Sequence, residues 1–77
     1  MDLKGLVEYI AQSLVTSPNQ VQVDVAESAH SITLELHVAQ DDMGRVIGKG
    51  GRIANAIRTL VRVAAMREGK RVNLEIV

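Results

Sequence analysis

Apolar residues recur at Leu3, Leu6, Val7, Ile10 and Leu14, the i, i+3, i+4, i+7, i+11 spacing of one helical face, and Asp2 stands ready to cap it. Thr16-Ser17-Pro18-Asn19 then brings turn chemistry. The period changes to two: Val21, Val23 and Val25 face one way, against Gln22 and Asp24. A polar turn over residues 26–31 leads to a second alternation, with Ile32, Leu34, Leu36 and Val38 set against Thr33, Glu35 and His37. These two stretches predict a β-hairpin with one buried face. Asp41 and Asp42 are placed to cap a short helical turn through residues 43–47. A longer helix follows over about residues 51–67, its stripe being Ile53, Ile57, Leu60, Val61 and Ala64, and Gly69 suits the position beyond its end. Val72, Leu74 and Ile76 alternate in a closing strand. The order is α-β-β-α-α-β: a two-layer α+β domain, with a three-stranded sheet covered on one face by three helices.

Seventy-seven residues make one domain, spanning 1–77. Such a short chain buries roughly 60% of its unfolded surface. Tyr9 is the lone aromatic, expected to pack on the first helix, so the core must be built from Val, Ile, Leu, Ala and Met. The lack of cysteine removes disulfides, thiolate metal sites and cysteine nucleophiles, and fits a reducing, cytoplasmic setting. No apolar run nears the ~20 residues of a membrane span, so no membrane partner is expected. The opening MDLKGLVEYI lacks the basic and apolar regions of a secretory signal.

The net charge of zero conceals an asymmetry. Residues 1–42 hold one cation against seven anions, net −6, and residues 43–77 hold eight cations against two anions, net +6. A basic surface for an anionic partner is one reading, and a solvated helix carrying arginines for solubility is the other. The acidic residues of the first half are expected on solvent faces.

The densest signal is GRVIGKGGRIA, residues 44–54, with four glycines and three cations in eleven positions. A Walker-type loop would need a hydroxyl after Lys49, where Gly50 stands, and a glycine where Met43 stands. A dinucleotide fingerprint beginning at Gly48 and Gly50 would need glycine at Ile53, within a parallel βαβ unit. Both fail. His30 and His37 are the only imidazoles, and no nucleophile, base or metal-ligand set is legible around them; His37 is expected on the solvated sheet face. Catalytic residues, metal and cofactor are therefore all expected to be none.

A binding site accounts better for the same residues. Gly48, Lys49, Gly50 and Gly51 form a tight turn between two helices, the outer glycines allowing close approach. The second helix offers unpaired N–H groups and a partial positive charge at its start. Lys49 adds a cation, Arg45 and Arg52 flank it, and Val46, Ile47 and Ile53 supply an apolar floor for bases. That combination suits a single-stranded sugar-phosphate backbone. A plain αα-turn with glycines chosen for packing is the structural alternative.

With IGKGGRI set in this element order, the whole chain resembles a KH domain of the second topological type, its GxxG loop at residues 48–51. Its opening DLKGLVEYIAQSLV and its GRVIGKGGRIANAIRTLVRVAA segment are similar to the bacterial KhpA-type RNA-binding proteins. Many KH domains place isoleucine or valine three residues past the loop, where this chain has Ala54, with Ile53 and Ile57 beside it. The resemblance implies that the loop clamps about four nucleotides of single-stranded RNA. Base readout would fall along the strand edge at residues 32–38. Without a stacking aromatic, weak, salt-sensitive binding is expected. The resemblance also implies a homodimer or a heterodimer with a second KH-containing RNA-binding protein, and an RNA-chaperone or post-transcriptional role linked to bacterial cell shape and division. Val63, Ala65 and Met66 widen the long helix's apolar arc beyond one core face, as a dimer surface would. An adaptor, whose long helix carries the function and whose RNA binding is incidental, stays open beside the RNA-binding reading. An enzyme acting on a phosphorylated substrate lacks residues for chemistry.

Overall fold

The structure, a computed structural model, describes residues 2–77. The first helix, α1 (Leu3–Leu14), begins where the Asp2 carboxylate accepts a hydrogen bond from the Gly5 N–H at 3.1 Å, satisfying one donor of the open first turn. Its inner face buries Leu3, Val7 and Ala11, and Leu6, Ile10 and Leu14 pack partly against the same core. Tyr9 does not pack as expected. It lies on the outer side of α1 and is 71% exposed.

A 3-10 turn at Pro18–Gln20 leads into β1 (Gln22–Glu27), which pairs antiparallel with β2 (Ser31–His37). The turn between them is shorter than the polarity suggests, and Ser28 and Ser31 close it, Ser28 N–H to Ser31 O at 2.8 Å. β2 alternates as predicted, Ile32, Leu34 and Leu36 being buried while Thr33, Glu35 and His37 lie on the other face. On β1 the alternation is only half used. Val23 is buried, but Val25 is 44% exposed on this outer strand, at the rim of a hollow it shares with Leu3 and Lys4.

The chain then forms α2 (Met43–Ile47), the loop at residues 48–51, α3 (Arg52–Met66) and β3 (Arg71–Ile76). β3 pairs parallel to β2, giving a mixed sheet in the order β1-β2-β3. Parallel neighbours need a crossover, and α2 and α3 form it. β2 is thus paired along both edges. The strand edge expected to read bases is not free, and the open edges belong to β1 and β3.

One core joins the helices to one face of the sheet, centred on Leu34, Leu36, Val7, Val46 and Val61. Each such side chain contributes about 1.5–3 kcal/mol on leaving water. The stripe of α3 is rotated from the predicted one: Ala54, Ile57, Val61, Ala64 and Ala65 are buried, whereas Leu60 is 54% exposed. Ala65 therefore belongs to the core and not to the outer arc.

Asp42 departs most from expectation. It makes no side-chain cap on α2 and is fully buried. Its Oδ1 accepts from Thr16 N (2.9 Å) and Thr16 Oγ1 (2.8 Å), and its Oδ2 accepts from Ser17 N (3.1 Å). The carboxylate thus ties the segment after α1 to the start of α2. These donors, the Thr16 N–H foremost, hold the Asp42 carboxyl below the ordinary carboxylate range, with Arg45 adding attraction.

Candidate nucleic-acid interface

The loop at residues 48–51 carries three glycines with positive φ: Gly48 at 76°, Gly50 at 66° and Gly51 at 78°. They serve different needs. A β-carbon on Gly48 would lie 2.7 Å from Ile53 Cγ1 and 2.9 Å from the Ile53 backbone nitrogen, so only glycine lets the end of α2 meet the start of α3. At Gly50 nothing lies within 4 Å of that position; the space above it is open. Gly51 N–H closes the turn onto Gly48 O at 3.1 Å.

No side chain caps α3. The Arg52 N–H donates to Lys49 O within the turn, and the positive end of the α3 dipole faces the loop with no side chain set over it. Lys49, Gly50 and Arg52 are exposed beside it, and neither Lys49 nor Arg52 has an ion-pair partner among the described residues. Arg45 is exposed too, but its Nε lies 3.4 Å from Asp42 Oδ1, which anchors the guanidinium next to the loop. Ile47 and Ile53 are half-buried under the loop and offer apolar surface. Val46 does not: it is fully buried, supporting α2 from within, and it presents no floor to a ligand.

From the loop, a polar stripe continues along α3 at helical spacing through Asn55, Arg58 and Arg62. Arg58 donates from Nε to Leu74 O of β3 at 3.2 Å and from Nη1 to Asn55 Oδ1 at 3.3 Å. A narrow hollow of about 90 Å³ lies there, lined by Arg58, Val61, Arg62, Val72, Asn73 and Leu74. Sequence reasoning missed this extension. The i, i+3, i+7 spacing of 55, 58 and 62 carries the signal, but its meaning depends on β3 being the strand beside it. Elsewhere on α3, Leu60 (54%), Val63 (53%) and Met66 (69%) are exposed. Leu60 and Val63, with Leu6, Ala64 and Arg67, line a shallow, mostly apolar hollow of about 250 Å³.

Among known proteins, the family described as KhpA/KhpB, KH domain matches residues 4–76. "RNA-binding protein KhpA" of Clostridium acetobutylicum is 56% identical over 75 residues, covering 97% of this chain and 100% of that protein. The protein of that name from Listeria monocytogenes is 44% identical, covering 97% and 99%. Solved structures of Era resemble the chain in fold, at 22% identity. One is a complex with MgGDPNP and nucleotides 1506–1542 of 16S ribosomal RNA, with a TM-score of 0.70, and another is Aquifex aeolicus Era bound to GDP·AlF4⁻, with a TM-score of 0.69. Each overlap takes in 96% of this chain but only 28% and 29% of the longer Era chains. The helix–loop–helix around GKGG and the parallel third strand thus sit in a type II KH fold, and with a match running nearly end to end the chain belongs to the KhpA/KhpB KH-domain family.

Proposed function

We propose that the chain binds single-stranded RNA, clamping its backbone at residues 48–51. One observation carries this reading: a loop that only glycine can form leaves Lys49 and Gly50 over open space, beside an α-helix start with no side-chain cap. Phosphate oxygens meet the positive end of the α3 dipole and the charges of Lys49, Arg45 and Arg52. The Gly50 position lets a phosphate approach without meeting a side chain. Ile47 and Ile53 support the first bases, and Asn55, Arg58 and Arg62 guide the strand along β3. No aromatic side chain lies in this set, so stacking contributes little and binding by one copy is weak. The relatives named as RNA-binding proteins favour the same reading.

Weak single-site binding gains from a second copy through effective concentration. The exposed row of Leu60, Val63 and Met66 favours assembly through α3, as a homodimer or with a second KH-containing protein, and leaves the loop free. An RNA chaperone or post-transcriptional regulator fits such a module, which grips backbone without strong base selection. NMR titration of labelled protein with a short single-stranded RNA tests the site. Amide shifts should concentrate at residues 45–55 and at Arg58 and Arg62. Shifts confined to α1, or to the bare sheet face, would overturn it.

A further inference from the structure

The sheet face that the helices leave bare holds a second constellation, remote from the loop. Strand register sets Asp24 of β1 opposite Glu35 of β2, and Glu35 beside Glu75 of β3, so three carboxylates stand in one row across the sheet. Like charges directly opposite one another destabilise a sheet, and the row favours a cation. His37, two residues beyond Glu35 on the same face, brings its Nε2 to 3.1 Å from Asp24 Oδ2. One donor atom each from Asp24, Glu35 and His37 lies within 4.8 Å of the others.

This spacing fits a metal. Donors bound at 2.0–2.2 Å in a tetrahedral zinc site are about 3.3 Å from one another. The His37–Asp24 pair already has that separation, and a side-chain rotation of the half-buried Glu35 brings in the third. Gln22 supports the arrangement from outside: its Nε2 donates to Asp24 Oδ1 at 3.0 Å, leaving Oδ2 for the centre. An imidazole with two carboxylates suits Zn²⁺ and its neighbours Ni²⁺ and Cu²⁺ better than Mg²⁺.

We propose that Asp24, Glu35 and His37 bind one borderline divalent cation such as Zn²⁺ on the bare face of the sheet, with water completing its coordination. The cation neutralises the carboxylate row and cross-links β1 to β2. Three donors leave open positions, so the site is exchangeable and not a closed structural centre.

Calorimetric titration of tag-free protein with ZnCl₂, with MgCl₂ as control, tests this. The expected result is saturable one-to-one Zn²⁺ binding that Mg²⁺ does not reproduce. His37→Ala should abolish it, Gln22→Ala should weaken it about tenfold, and His30→Ala should leave it unchanged. Ni²⁺ should broaden NMR signals of residues 22–24 and 35–37 and spare residues 48–51. None of these side chains belongs to the core, so circular dichroism should show each variant folded. No saturable binding up to millimolar Zn²⁺, or a folded His37→Ala variant that binds like wild type, would overturn the proposal.

Discussion

Gly48 and Gly50 both carry positive φ, yet substitution should separate them. Alanine at Gly48 meets Ile53 at side chain and backbone together, so α2 and α3 must part. Gly48→Ala is expected to lower stability by about 2–3 kcal/mol, against about 1 kcal/mol for Gly50→Ala, whose cost is conformational alone. Urea denaturation of the two variants checks the difference. Asp42 gives a pH dependence. Its carboxyl titrates lower when folded than the ordinary 3.8, so the unfolded chain binds the proton more readily. The stability it contributes is complete well above pH 4 and is lost as pH falls through the depressed folded value. Asp42→Ala should lower Tm at neutral pH, and its acid-unfolding profile should lose part of the wild-type slope in that range. The spacing of the sequence could not assign this role: an acidic residue before a short helix looks like a cap, and its partners lie 25 and 26 positions away.

At the scale of elements, α1, the hairpin and β3 were legible because each keeps one period against one core. α3 was legible in extent but not in rotation. Its apolar residues cover more than one face, and size drew the predicted stripe to Leu60, whereas small residues at Ala54, Ala64 and Ala65 let the helix sit close to its neighbours. That rotation leaves Leu60, Val63 and Met66 outward. Val63→Asp with Met66→Asp should convert an assembled protein to monomer in light scattering. RNA-induced shifts at residues 48–51 should persist, with apparent affinity reduced on the order of 10²-fold where both sites engage one RNA. The direction of β3 was not legible either, because alternation reports a strand's faces and not its neighbour. β2, where base readout was expected, is the central strand, and the open edge beside Arg58 belongs to β3.

Over the whole molecule, the charge asymmetry of the sequence becomes spatial. Asp24, Glu35 and Glu75 lie on the bare sheet face, while Arg45, Lys49 and Arg52 surround the loop, and among the acidic residues of the first half only Asp42 is buried. Such a layout draws RNA to one side and repels it from the other. Neutralising three phosphates, one for each loop cation, predicts a slope of about −2 for log K against log salt on a single strand. Affinity should then fall roughly twentyfold between 50 and 200 mM salt. The most direct test of the account is fluorescence anisotropy of labelled single-stranded RNA with wild type and a folded Lys49→Asp, Gly50→Asp variant. Wild type should bind, and the variant, which sets two anions where phosphates should lie, should not. Equal binding by both would contradict it, leaving the glycine loop a turn and placing the RNA elsewhere on the basic helix.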